Sequence, residues 1–499
     1  MTRTVLDALD AHAAARPEAL ALDGVAYGAL RAASLRVAAQ LRAAGLRPGQ
    51  RLAIYAENRP GFVFAYLGGL RAGAIVVTVN VLYRTADLEH VLGDAAPTVV
   101  CVSEASAPYL TPHPDRAIID LGAVEAWAHD ASLPPLDDAP PLEPNDGAIL
   151  IYTSGTTGRS KGALLTHGNL AAIADQLNEA WRWTNADTLL LTLPLFHVHG
   201  LGAGLNGTLV AGGRVLLRER FDAPSVVAAL ANGEATMFFG VPTMYVRILD
   251  HAGPQTRFDR VRLFVSGSAA LPASVHEEFA RRFGVSILER YGATEFGFAL
   301  SNRYDGARHA GTVGFPLPHV AVRLADPNGN DVAPGDAGEI LVHGPNVFKG
   351  YWRNDAATAA AFWNDEGAQR WYRSGDLATF DPERGYAING RLKELVISGG
   401  FNVYPIEVET ELLRVPGIRA AAVVGQPDPA RGEIPVAFVE VDDGFDPDAA
   451  LAALRERLAS FKVPKHLYPI DALPRNAMGK VEKPRLRELL ASGAASPSR

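Results

Sequence analysis

Apolar and polar residues follow one another along this chain in blocks whose period switches between that of a helix and that of a strand. Over 5–46 the pattern is helical: Leu6, Leu9, His12 and Ala13 recur at helical spacing, and 27–46 is an amphipathic run rich in Ala, Leu and Arg. Gly45 and the Pro48-Gly49 pair stop it. Short apolar runs at 51–55, 74–79 and 98–102 read as strands, with helices at 59–73 and 85–92 between them. A stiff connector containing Pro134, Pro135, Pro140, Pro141 and Pro144 leads into the strand-like Ala148-Ile149-Leu150-Ile151. Beyond a polar loop come a helix at 167–181 and a strand at 188–192. Such alternation predicts an α/β chain with mostly parallel sheets and crossover helices.

Near Gly390 the order changes to strand 394–398, helix 405–414, strands 418–425 and 435–441, and helix 448–458. We therefore expect two units: a large N-terminal domain of α/β subdomains at 1–390, and a small mobile α+β domain at 391–499. A chain of 499 residues also exceeds what one hydrophobic core supports. With 47 Lys and Arg against 55 Asp and Glu, the net charge of −8 gives no footprint for nucleic acid or an acidic membrane surface. Any anionic substrate must then be met by local cations. Cys101 is the one cysteine, which excludes a disulfide within the chain and argues against a zinc cluster. There is no apolar run long enough to span a bilayer and no secretory pattern at the N-terminus. The expectation is a cytoplasmic enzyme, monomeric or homodimeric, without nucleic-acid or membrane partners.

The densest chemistry lies in Tyr152-Thr153-Ser154-Gly155-Thr156-Thr157-Gly158-Arg159-Ser160-Lys161-Gly162. Its glycines allow close backbone approach, its hydroxyls donate, and its cations neutralise charge, a combination suited to a polyphosphate. The spacing excludes a Walker loop, because Gly162 follows Lys161 where a metal-binding hydroxyl is required. Four further elements follow: Leu193-Pro194-Leu195-Phe196-His197, Arg290-Tyr291-Gly292-Ala293-Thr294-Glu295, Tyr372-Arg373-Ser374-Gly375-Asp376, and Arg475-Asn476-Ala477-Met478-Gly479-Lys480. A tyrosine ring placed after a strand can lie against a flat base, and a glutamate oxygen suits a hard cation. The carboxylate of Asp376 can accept from two ribose hydroxyls.

In this order, over roughly 152–481, the elements resemble the acyl-adenylate-forming superfamily of acyl-CoA synthetases, luciferases and peptide-synthetase adenylation domains. Ser160 stands where that family usually has Pro, a loss of loop stiffness but not of charge. The resemblance implies that ATP is held by Thr153, Ser154, Gly155, Thr156, Thr157 and Lys161 at the phosphates. Gly267, Ser268, Ala269, Tyr291 and Gly292 would meet the adenine, Thr294 a phosphate, and Asp376 with Arg391 the ribose. It places Mg²⁺ on Glu295 and His197 beside the acyl carboxylate. Lys480 would bridge that carboxylate and the α-phosphate, so the catalytic set is Lys480, His197, Thr294 and Glu295. Lys393 falls at the family's hinge, and Gly399, Gly400 and Phe401 would line the pantetheine tunnel of CoA. Ala293 replaces a larger apolar residue and implies a roomier pocket.

The implied reaction is attack of a carboxylate on the α-phosphorus of ATP, followed by transfer of the acyl group to CoA. Residues 240–247 and 301–314 resemble malonyl-CoA synthetases, in which the arginine matching Arg247 binds the distal carboxylate. That implies malonate as substrate, with methylmalonate tolerated. Two alternatives stay open: a short- or medium-chain fatty acyl-CoA synthetase, with Arg247 on an outer helix face, and a stand-alone adenylation enzyme that loads a carrier protein.

Overall fold

The computed structural model describes residues 4–153, 160–364, 369–429, 431–476 and 479–494. Two large sheets form the body. In the nine-stranded sheet, Leu288–Tyr291, Leu263–Ser266, Met237–Gly240, Thr188–Leu191, Arg214–Leu217 and Leu20–Leu22 are neighbours and parallel, with antiparallel strands at both edges. In the seven-stranded sheet, Gly147–Thr153, Ile75–Val79, Arg51–Tyr55, Val99–Val102 and Ala117–Asp120 run parallel. These strands are mostly buried on both faces, hence their unbroken Val, Ile and Leu runs. One apolar core joins the inner faces of both sheets through the helices Tyr27–Ala43, Pro60–Arg71 and His167–Ala180.

The helical reading of 5–46 is interrupted. Helix Val5–Ala15 opens on a reciprocal cap between Thr4 and Asp7, and a small hairpin of Leu20–Leu22 and Val25–Ala26 precedes helix Tyr27–Ala43. Leu22 pairs with Val215, so a strand far along the chain overrides the local helical periodicity. A second difference lies at 161–166. Lys161–Thr166 is a strand antiparallel to Gly147–Thr153, so the phosphate-loop candidate joins the arms of a hairpin instead of leading into a crossover.

A third, antiparallel sheet is built from Ala321–Ala325, Gly338–His343, Arg370–Asp381, Phe362–Asn364 and Gly385–Arg391. The turn Leu392–Glu394, which contains Lys393, then leads to a fourth sheet of Val396–Ser398, Phe401–Val403, Gly432–Val441, Ile418–Asp428 and Leu467–Pro469. Helices Pro405–Leu412 and Pro447–Arg457 contribute to the apolar cluster on one side, and Lys483–Ala491 to the cluster on the other. Among the described residues, no helix is long and apolar enough to cross a membrane.

Asn58 ties the two large sheets together at the point that matters for the site. Its amide donates to the carbonyls of Leu193 (2.9 Å) and Arg218 (3.1 Å), while its oxygen accepts from the Leu195 N–H at 2.8 Å. All three partners lie just beyond strands of the nine-stranded sheet, and Asn58 follows a strand of the other. We expect Asn58→Leu, which strands these groups in a buried seam, to lower unfolding stability by about 3 kcal/mol. The midpoint of chemical denaturation measures it; an unshifted midpoint would show that the seam is not held this way.

Candidate active site

The parallel strands of the nine-stranded sheet deliver their carboxyl ends to one side, the usual location of ligand crevices in open α/β sheets. His197 lies shortly after Thr188–Leu191, and Gly267 directly after Leu263–Ser266. In strand Leu288–Tyr291, Tyr291 is itself the last residue. From the other sheet, Thr153 and Lys161 face each other across the phosphate-loop hairpin. Ser154, Gly155, Thr156 and Thr157 lie outside the described residues. The Lys161 ammonium sits 5.3 Å above the Tyr351 ring.

Asp376 and Arg391 are partners across the third sheet, and the Arg391 Nε lies 2.9 Å from the Asp376 carboxylate. The Tyr291 hydroxyl donates to the other oxygen of that carboxylate at 2.6 Å. Burial is the largest single influence and lowers the Arg391 pKa, but Asp376, Tyr291, Glu394 and Glu295 together outweigh it, and the net direction is upward. Glu339 orders the approach by accepting from the Arg373 guanidinium (2.7 Å) and the Gly375 N–H (3.1 Å). Glu295 is buried and accepts from the hydroxyls of Tyr351 (2.9 Å) and Thr153 (3.5 Å). Desolvation raises its pKa. Thr294 occupies the turn between Tyr291 and Glu295.

Next to the nucleotide candidates is a compact set of buried polar groups. His197 is neutral at physiological pH because burial lowers its pKa to about 4, and its Nε2 has no partner among the described residues. His199 is also held well below the ordinary range, by burial, Arg290 and His197 in that order; its Nδ1 lies 3.3 Å from the Ser268 hydroxyl. Ser268 adopts a left-handed φ of 72°, a strained conformation for serine. Arg290 is only 5% exposed, yet its Nε and Nη2 have no partner among the described residues. Burial pulls its pKa down to about 9, still above neutrality, and Phe298 packs 4.5 Å beneath the guanidinium. Gly267 covers the group so closely that a Cβ there would lie 2.4 Å from Cζ. Ser266 Oγ and His199 Nε2 likewise lack partners among the described residues. Arg290 and His199 were not identified as site residues from sequence. The available signal was a charged pair, Glu289-Arg290, inside a strand that otherwise reads as buried.

Arg247 is exposed on helix Pro242–His251, its guanidinium 5.1 Å from the Phe221 ring. It lies one turn beyond Thr243, whose hydroxyl is 3.2 Å from where a Gly479 Cβ would stand. Gly479 therefore brings its neighbour Lys480 to the body. Desolvation and then Arg391 lower the Lys480 pKa, while Asp376 and Glu394 oppose them. By accessible surface the residue is nonetheless exposed. Across the fourth sheet, Gly399 and Gly400, with φ of 59° and 85°, form a tight turn, and Phe401 stacks on Phe461 at 4.7 Å. Lys393 is exposed in its turn, and the neighbouring Glu394 pairs with Lys483 at 3.5 Å.

A two-sheet body with a nucleotide cradle and a small unit presenting a lysine defines an adenylating enzyme, and the chain belongs to the AMP-binding enzyme family. That family's model matches residues 9–352, and the AMP-binding enzyme C-terminal domain matches 407–480. More narrowly, it is an AMP-forming acyl-CoA ligase of the acyl-adenylate-forming superfamily. It is 38% identical over 468 residues to a feruloyl-CoA synthase of an Amycolatopsis species, covering 92% of this chain and 93% of that one. Its identity to the mitochondrial malonate–CoA ligase of Mus musculus is 36% over 492 residues, covering 90% of this chain and 83% of the mouse protein. The crystal structure of ATP-bound MatB from Rhodopseudomonas palustris is 37% identical with a TM-score of 0.88, covering 96% of this chain and 98% of MatB. Against apo MatB the TM-score is 0.79, so this arrangement is nearer the ATP-bound form.

Glu289, beside Arg290, has its pKa raised by burial to about 8 from an ordinary 4.5. The folded chain thus holds a proton that the unfolded chain releases at lower pH, and this stabilisation is complete below about 4.5 and fades as pH rises to about 8. We expect the melting temperature of Glu289→Gln relative to the parent to climb from pH 5 to pH 8 and then level. A difference independent of pH would show that Glu289 is ionised in the fold.

Proposed function

We propose that this ligase activates malonate, with methylmalonate accepted, and transfers it to CoA. The observation that carries the reading is the buried Arg290 guanidinium, whose Nε and Nη2 have no partner among the described residues, beside neutral His197 and His199. A fatty chain gains nothing from such a lining, whereas a second carboxylate neutralises a buried cation and takes its hydrogen bonds. Arg247, expected from sequence at the distal carboxylate, is instead exposed beside Phe221, and no described contact joins it to Arg290. The likeness to malonate–CoA ligases supports the choice.

In this reading the hairpin from Thr153 to Lys161 grips the triphosphate, Tyr291 and Gly292 border the adenine along the ledge of Gly267, Ser268 and Ala269, and Asp376 with Arg391 receives the ribose. Glu295 would hold Mg²⁺. Its desolvated carboxylate gains from a cation, and no group of three or more His, Cys, Asp or Glu suited to a metal occurs among the described residues. That fits Mg²⁺ carried mainly by substrate phosphates, where it would neutralise phosphate charge. One malonate carboxylate attacks the α-phosphorus and pyrophosphate leaves. Lys480 supplies positive charge where it accumulates on phosphorus, and His197 orients the attacking carboxylate as a neutral donor. The CoA thiolate then attacks the acyl carbon and AMP leaves. The second step needs Lys480 withdrawn, a motion assigned to the turn containing Lys393. Gly399, Gly400 and Phe401 would then face the pantetheine arm.

Pyrophosphate release measured with malonate, methylmalonate, acetate, butyrate, octanoate and ferulate tests the substrate. We expect malonate to give the highest kcat/KM and Arg290→Met to reduce it roughly 100-fold, with butyrate spared or improved. Arg247→Met run alongside apportions the two cations. Preference for ferulate or a fatty acid in the parent enzyme would reject malonate.

For the hinge, Lys393→Pro should preserve malonyl-adenylate formation while malonyl-CoA production falls by orders of magnitude. Equal losses in both half-reactions would remove the hinge from this position.

A further inference from the structure

Helix Thr85–Ala95 contributes none of the nucleotide or acyl candidates, yet one of its faces grips both arms of the hairpin from Thr153 to Lys161. His90 Nε2 lies 2.7 Å from the carbonyl oxygen of Ser160 on the exit arm. A carbonyl only accepts, so Nε2 carries the proton and donates. One turn further on, the Asp94 carboxylate accepts from the Tyr152 hydroxyl on the entry arm at 2.5 Å. The two grips are coupled: the His90 ring packs edge-on to Tyr152 with centroids 6.2 Å apart. The surroundings fix the helix in turn, since Trp352 donates through Nε1 to the Asp94 carbonyl (3.3 Å) and through its backbone to the Gly162 carbonyl (2.7 Å).

We propose that His90 is a positioning residue for adenylation, which rests on the reading of 152–162 as the ATP-phosphate loop. The peptide plane it holds is the one whose nitrogen belongs to Lys161, so the bond sets the direction in which that lysine leaves the hairpin. Ser160 leaves its own φ free, where a proline would fix it near −65°. The side chain of a distant helix therefore supplies the restraint that the loop's own sequence does not. A loop held before ATP arrives avoids the ordering entropy that binding would otherwise incur. The effect is confined to nucleotide binding, because neither His90 nor Asp94 touches the acyl candidates His197, Arg247 or Arg290 in any described contact.

The test compares His90→Leu, His90→Gln and the double variant His90→Leu with Ser160→Pro in the full chain. The readouts are KM for ATP and for the acid in pyrophosphate release, and the rate of tryptic cleavage after Arg159 or Lys161 with and without ATP. We expect His90→Leu to raise the ATP KM roughly tenfold, leave the acid KM within about twofold, and speed cleavage in the absence of ATP. Gln, whose amide also donates, should restore most of both losses, and proline at 160, which itself blocks trypsin at Arg159, should restore most of the ATP KM. The proposal is overturned if His90→Leu matches the parent in both ATP KM and cleavage, if it raises both KM values alike, or if neither second variant improves on it. ATP that fails to protect the loop in the parent enzyme would instead remove the phosphate-loop reading beneath it.

Discussion

The carboxylate of Asp376 is the fixed point from which the rest of the site is measured. It accepts from Tyr291, the last residue of a central strand in the nine-stranded sheet, and pairs with Arg391, the last residue of the third sheet. The next residues are the turn at Leu392–Glu394, so one buried charge connects the body's main sheet, the antiparallel sheet and the point where the small unit begins. Charge-assisted bonds of this kind are about twice as strong as neutral ones, and removing one partner of a buried pair costs about 3–5 kcal/mol. The Lys480 ammonium lies in the same field, with Arg391 repelling it and Asp376 attracting it. The position of a lysine on a separate unit is thus referenced to the same carboxylate that fixes the nucleotide candidates.

Folding alone gives no reason to bury Arg290 without a carboxylate, to hold two histidines neutral beside it, or to force Ser268 into a left-handed conformation. Native interiors satisfy most of their polar atoms, so a cluster of exceptions at the carboxyl ends of parallel strands marks a place where a ligand supplies the missing partners. The neutral state of His197 and His199 matters for chemistry as well as stability. In the proposed reaction a charged imidazole would compete with Arg290 for the acid, whereas an uncharged one would position an oxygen without adding to the field.

Much of the body was legible because its strands are buried on both faces. The runs at 51–55, 74–79 and 98–102 needed no partner to be recognised, and the observed strands depart from them by a residue or less. The third sheet was not legible: its strands mix buried and half-buried positions without a regular period, carry Arg, Asp and Gly, and are defined by pairing over long separations. The hairpin arm Lys161–Thr166 was hidden for a different reason, since its apolar run of Ala163, Leu164 and Leu165 is short and follows directly on loop-forming residues. Among site residues, chemistry in short dense motifs could be read from the chain, as with Asp376, Glu295 and Lys480. Asn58, His90 and Arg290 could not. Each acts through a contact more than 60 residues away or through the absence of one, and no local pattern encodes either.

The proposed reaction asks the small unit to move between its two steps. Its own sheet has apolar clusters on both faces and a continuous set of strand pairings, so it is cohesive by itself. Among the described residues its links to the body include Gly479 against Thr243, Lys480 in the field of Arg391 and Asp376, and helix Pro405–Leu412 against strand Gly385–Arg391. Ile397 and Phe401, 52% and 57% exposed, leave an apolar edge uncovered on the same hairpin that carries Gly399 and Gly400. In the proposed reaction the small unit shifts between two positions, and this uncovered apolar edge is surface that the second position could bury. The greater likeness to ATP-bound than to apo MatB places the present arrangement on the nucleotide side of that balance. A reaction that first needs a cation at phosphorus and then needs the same space for a thiol requires that neither position be too deep a minimum.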